Sequence, residues 1–146
     1  MKSIVTQLNK IQGEAHVFYI AFHDYHWNVK GLQFFAIHEY SQKAYEEMGE
    51  LFDEMAERAL QIGGKPLVDI DDIIKAGKGA PIEAKGDYKP EAVLKNLKKA
   101  YEHLLNEFKK LDEISQKEGD TTTSNLAQDK FGELEKTLWM LNQTLA

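Results

Sequence analysis

Four stretches of this chain carry apolar side chains spaced alternately four and three residues apart, and that repeat constrains its fold more than any other feature. In the first, Ile4, Leu8, Ile11, Ala15, Phe18, Phe22, Tyr25 and Val29 line one stripe of a helix, the pattern of side chains that mesh with a neighbouring helix. The spacing predicts a helix over residues 3–30, closed by Gly31 where a left-handed cap residue is wanted. The repeat restarts at Phe34 and runs through His38, Ser41, Tyr45, Met48, Phe52, Met55, Ala59 and Ile62 until Gly63-Gly64-Lys65-Pro66 stops it. So short a break makes the first two helices an antiparallel hairpin. A third stripe, Val93, Leu94, Leu97, Tyr101, Leu104, Phe108 and Leu111, starts behind Pro90 and runs to about Lys117 before Gly119. Asp120 and Thr121-Thr122-Thr123-Ser124 offer start caps for the fourth, which carries Ala127, Phe131, Leu134, Leu138, Leu141 and Leu145.

Between the second and third long helices lie residues 67–86, rich in Gly, Pro and Asp, within which Asp69 caps a short helix ending near Ala76. The expected fold is therefore all-α, a ferritin-like four-helix bundle whose long crossover carries a short extra helix. At 146 residues it makes a single domain, 1–146. With no cysteine, disulfides, thiolate ligands and thiol catalysis are excluded. No apolar run reaches membrane-spanning length, and the N-terminus leads into an amphipathic pattern rather than a signal segment, so a cytoplasmic protein with no membrane partner is expected. The net charge of −6 opposes nonspecific attraction to nucleic acid or anionic lipid. Lys95, Lys98, Lys99, Lys109 and Lys110 read as solvated helix faces.

Against this frame, His26 and His38 bracket the first turn, twelve residues apart. The hairpin brings them to one end of the bundle, where they can share an ion. Asp53 and Glu57 lie one turn apart on the second helix. At 1.5 Å per residue, however, Asp53 falls roughly 22 Å beyond His38, so one metal cannot touch both pairs within a chain. Either the pairs are unrelated, or a two-fold axis sets the histidines of one subunit against the carboxylates of another. Imidazole with carboxylate suits ferrous iron and zinc alike. No histidine has a glutamate three residues before it, which argues against a carboxylate-bridged centre inside the bundle. Taken singly, Asp53, Glu57 and Arg58 read as helix-surface charge. Trp27, Met48 and Met55 read as packing residues, and His16, His23 and His103 as satisfied structural histidines.

Taken together, His26-Trp27-Asn28-Val29-Lys30-Gly31, Phe34-Phe35, His38, Asp53, Ala56-Glu57-Arg58, Gly63 with Pro66-Leu67, Glu118-Gly119-Asp120 and Leu138-Trp139-Met140-Leu141 resemble the Dps family of mini-ferritins, in particular its neutrophil-activating branch. The resemblance covers nearly the whole chain. It implies a hollow homo-oligomer of twelve subunits that oxidises Fe(II), preferably with hydrogen peroxide, and stores the ferric product. It further implies that His26 and His38 ligate iron from one chain and Asp53 and Glu57 from its neighbour, with Glu57 bridging toward a second, weaker position. Trp27 would intercept stray oxidising equivalents. Asp129 and Asp120 would line acidic entry pores, helix capping or solvated charge being the alternative for each. Many members carry a carboxylate where this chain has Gln42, a poorer ligand for a hard cation.

The family's name comes from DNA protection, usually attributed to a basic terminal tail. The sequence shows no such tail, and twelve copies at −6 would carry about −72, so direct DNA binding is doubtful and protection through removal of iron and peroxide is expected. A DNA-compacting structural protein and an immune-stimulating surface ligand are the competing readings.

Overall fold

The structure, a computed structural model, describes residues 1–146. Its elements are α1 (Lys2–Asn28), α2 (Phe34–Gln61), α3 (Ile70–Ala76), α4 (Pro90–Lys117) and α5 (Thr121–Leu145), with no strands. The four long helices form two hairpins, α1 with α2 and α4 with α5, packed against each other mainly through α1 and α4. The eight stripe residues of the first helix are all buried to within 1 %. That makes α1 the helix on which the rest of the core closes.

Punctuation by glycine follows the expected physics. Gly63 and Gly119 take positive φ at the ends of α2 and α4. Gly64 N–H then reaches Ala59 O at 2.8 Å, and Asp120 N–H reaches Ser115 O at 2.9 Å, the paired closure that satisfies the last carbonyls of each helix. Pro90 opens α4, Asp69 caps α3 through Asp71 and Asp72 N–H, and Asp120 caps α5 through Thr123 N–H.

The first helix differs from expectation at its end. It stops at Asn28, not at residue 30, because Val29 turns extended and pairs with Tyr88. Lys30 N–H donates to Tyr88 O at 2.9 Å and Tyr88 N–H to Asn28 O at 3.1 Å. The Tyr88 hydroxyl donates to Asp24 Oδ2 at 2.5 Å, and the same Asp24 accepts from Asn28 Nδ2 at 2.8 Å. The crossover is thereby pinned to the last turn of α1, where His26 sits.

On α2 the buried side is also turned from the predicted stripe. The stripe residues Ser41, Met48, Met55 and Ala59 are buried as expected, but Ile37, Ala44 and Leu51 are buried beside them, while the stripe residues Phe34, His38, Tyr45 and Phe52 are only half-buried. The helix divides its inner surface between α1 and the core made with α4.

At its other end the crossover is latched by a buried amide. Gln12 Nε2 donates to Leu67 O at 2.9 Å and Gln12 Oε1 accepts from Leu67 N–H at 3.0 Å. Beyond it, α3 lies so close to α1 that a Cβ on Gly13 would meet Ala76 Cβ at 2.7 Å and Ile73 O at 2.8 Å. Gly13 has ordinary helical geometry, so an alanine there would favour the isolated helix by about 1 kcal/mol. Overpacking outweighs that gain. Gly13→Ala is expected to destabilise the subunit by about 1–2 kcal/mol, read as a lower urea midpoint at fixed subunit concentration. An unchanged or higher midpoint would mean that α3 does not rest on this contact.

Candidate metal centre at the α1–α2 turn

His26 projects from the last turn of α1 and His38 from the second turn of α2, and the hairpin stacks their rings 3.7 Å apart and 13° from parallel. The stack is cross-bonded. His26 Nδ1 lies 2.6 Å from the His38 carbonyl oxygen, and His38 Nδ1 lies 2.8 Å from the His26 carbonyl oxygen. A carbonyl only accepts, so each Nδ1 carries a proton. With Nδ1 held by a carbonyl in each ring, Nε2 is the nitrogen that can offer a metal the lone pair it requires. Burial pushes the His26 pKa down, against the opposing effect of its backbone hydrogen bond, and keeps the imidazole neutral at pH 7. Phe34 stacks on His38 at 4.9 Å and Tyr45 meets His26 edge-on at 5.2 Å. Ser41, fully buried beneath the pair, donates to Ile37 O at 2.6 Å.

Asp53 and Glu57 stand exposed on the outer side of α2. Fifteen residues of continuous helix separate Asp53 from His38, roughly 22 Å of axial rise. One chain therefore unites the histidines and leaves the acids apart. Gln42 is exposed and donates its amide to Glu46 at 3.0 Å. Asp120 has its carboxylate engaged within the chain, accepting from Thr123 N–H at 3.0 Å and from Arg58 at 3.3 Å, which is the capping alternative. Burial opposes its charge, but the Thr123 bonds and the Arg58 guanidinium hold Asp120 below the usual carboxylate range. Asp129 is exposed on α5.

Trp27 is two-thirds exposed and leans on His23 at 5.2 Å rather than on the histidine pair. His23 in turn stacks on Tyr45 at 3.7 Å, and Tyr45 meets both His26 and Tyr19. A ring ladder thus runs from the imidazole pair to the surface. Its signal in the sequence is Tyr19 and His23 four residues apart, facing Tyr45 across the hairpin.

A second histidine cluster lies deeper in the bundle. His103 and Glu107 of α4 meet Glu14 of α1, both carboxylates being buried. Burial, the hydrogen bond with Glu107 and the charge of Glu107 together push the Glu14 carboxyl up to about 9. Sequence reasoning assigned His103 no ligand role, because its partner Glu14 lies 89 residues away on a facing helix.

Comparison with known proteins defines first the class. The family profile described as a ferritin-like domain matches residues 5–146. The chain is 37% identical over 139 residues to the DNA protection during starvation protein of Helicobacter pylori, covering 95% of this chain and 96% of that one. The crystal structure of Helicobacter cinaedi CAIP superposes with a TM-score of 0.94 at 38% identity, covering 98% of this chain and 99% of that chain. The Dps protein of Vibrio cholerae O1, a member of a broad superfamily of ferritin-like diiron-carboxylate proteins, superposes at 0.92 with 28% identity, covering 99% and 90%. The chain belongs to the Dps family of ferritin-like proteins. No helix is long and apolar enough to cross a membrane.

The cross-bonded stack predicts one tautomer for both rings. Solid-state NMR of ¹⁵N-histidine-labelled apo protein at neutral pH is expected to show protonated Nδ1 and bare Nε2 at His26 and His38. Protonation at Nε2 of either ring would contradict the arrangement.

Proposed function

We propose that this protein oxidises Fe(II) to Fe(III), preferably with hydrogen peroxide, and stores the ferric product inside a hollow shell of twelve copies in the cytoplasm. The observation that carries the reading is the cross-bonded pair His26–His38, which offers two neutral Nε2 donors and lacks the anionic ligands to complete a ferroxidase site. Asp53 and Glu57 supply that charge from a neighbouring copy across a two-fold axis, which gives two equivalent sites per dimer. Membership of the Dps family supports this assignment, as does the apolar surface around the turn. Leu32 is fully exposed, Phe35 nearly so and Trp27 two-thirds exposed, a patch that assembly would cover.

In this reading the imidazoles hold and orient one Fe(II), and Glu57 bridges toward a second. Each iron gives one electron, the peroxide O–O bond breaks, and two protons from solvent complete two waters. Supplying both electrons together avoids hydroxyl radical. Trp27, with the ring ladder behind it, takes up oxidising equivalents that escape. Gln42 leaves the second position weaker, since an amide oxygen carries no charge. Glu47, Glu50, Glu54 and Glu133 line a groove between α2 and α5 together with Lys130 and Lys136, and the carboxylates there that no lysine pairs are hard oxygen ligands on which ferric ion would deposit. Asp129 and Asp120 remain the proposed entry-pore residues. DNA is protected by removal of iron and peroxide, without a direct contact.

Mixed assembly tests the shared site. His38→Ala and Asp53→Ala are each expected to slow peroxide-driven iron oxidation by about tenfold to a hundredfold or more. Co-assembled from equal amounts of the two variants, about half of the two-fold interfaces are mixed, and each mixed interface regains one intact site. Fast oxidation should then return to about a quarter of the wild-type amplitude. Mixtures no faster than the separate variants would sink the intersubunit assignment.

A further inference from the structure

We propose that Glu14, His103 and Glu107 form a second cation site, inside the bundle of each subunit, for a divalent first-row transition metal. One ligand atom from each residue lies within 4.8 Å of the other two, a spacing that a single ion can draw together. The three come from two helices: His103 and Glu107 one turn apart on α4, and Glu14 from the facing turn of α1. His103 Nε2 is hydrogen-bonded to Glu14 Oε2. The other oxygen, Glu14 Oε1, is buried and has no hydrogen-bond partner. Two carboxyl groups buried side by side need either a proton or a cation between them, and a bound cation takes the place of the proton.

Gln7 and Phe18 confine the cluster from within the bundle, and the lysine side faces solvent. Gln7 donates to the Glu107 backbone carbonyl at 3.0 Å, and the Phe18 ring meets His103 edge-on at 6.2 Å. At the open side, Lys10 and Lys110 approach Glu107 at 3.1 and 3.0 Å, with side chains 41% and 57% exposed. In the empty cluster the two ammoniums compensate the Glu107 carboxylate, while the Glu14 carboxyl keeps its proton. Both lysines are long and anchored near solvent, so they can withdraw to admit an ion. Without a ligand role, burying this group is poor construction, because apolar residues of similar volume are commonly neutral or stabilising at such positions.

The donor set, one imidazole and two carboxylates, fits Fe(II), Co(II) or Zn(II) and is too nitrogen-rich for a calcium site. It is distinct from the turn centre. Glu14 precedes His26 by twelve residues of α1, about 18 Å along the axis. It also uses no Glu-x-x-His pair, the imidazole here preceding its glutamate by four residues.

Co(II) is the probe. In the assembled His38→Ala, Asp53→Ala double variant, which lacks the ligands of the turn centre, anaerobic titration is expected to retain about one cobalt per chain with a visible d–d band. Anomalous scattering at the cobalt edge should place the ion between α1 and α4. Lys10→Ala in that background should tighten binding several-fold by removing a competing charge. Glu14→Gln, nearly isosteric and checked for folding by circular dichroism, should weaken it at least tenfold. Anomalous density confined to surface carboxylates would overturn the proposal, as would affinity unmoved by Lys10→Ala. Because the double variant is defective in the turn centre by design, these outcomes are independent of the intersubunit test.

Discussion

An α-helix is a rod of fixed rise, and the continuous helical turns of α2 between His38 and Asp53 hold those residues apart as firmly as a spacer. That rigidity decides what one chain can do. It fixes the imidazoles at one end of the hairpin and the carboxylates toward the other, and no side-chain rotation closes a gap of roughly 22 Å. In the proposed reading a complete ligand set is a property of an assembly, with the fold supplying two half-sites per chain. The exposed Leu32 and Phe35 beside the histidines are consistent with that division, since the half-site and the apolar surface occupy the same turn.

The buried polar groups divide into those the fold uses and one set it does not need. Gln12 exchanges two hydrogen bonds with the Leu67 backbone, so its burial is satisfied and fixes the register of the crossover. Arg58, Asp120 and Thr123 join the end of α2 to the α4–α5 turn in a closed network. The Tyr88–Asp24–Asn28 set does the same for the end of α1. Glu14 and Glu107 differ from these in keeping an oxygen without a hydrogen-bond partner, as Asn96 and Ser115 also keep a polar atom, but only the two glutamates bring buried carboxyl groups together.

Much of this architecture is legible from local pattern. The stripe Ile4 to Tyr25 is the buried face of α1, and Gly63, Pro90, Asp69 and Asp120 act at the ends where their chemistry places them. His26 and His38 were readable for the same reason, because a short turn between two predicted helices leaves little freedom in how they meet. What escaped depends on residues distant in the chain. The helix end at Asn28 answers to Tyr88, the rotation of α2 to two neighbours at once, and the company of His103 to Glu14. Ligands drawn from facing helices leave no spacing for a reader of the sequence to find. The proposed meeting of the histidines with Asp53 and Glu57 is further removed still, since it would depend on a second copy.

The two contacts that shape the turn differ in the length of chain each must close. The histidine stack joins residues 12 apart, whereas the Val29–Tyr88 pairing joins residues about 59 apart. By loop-closure entropy alone the shorter connection is favoured by about 1.4 kcal/mol, from (3/2)RT times the logarithm of the ratio. During synthesis the imidazole pair needs only the first two helices, and Tyr88 emerges later. In the proposed reading a nascent or unassembled chain therefore carries half of its iron site before any shell exists to contain the metal, so the order of translation places metal capture ahead of confinement.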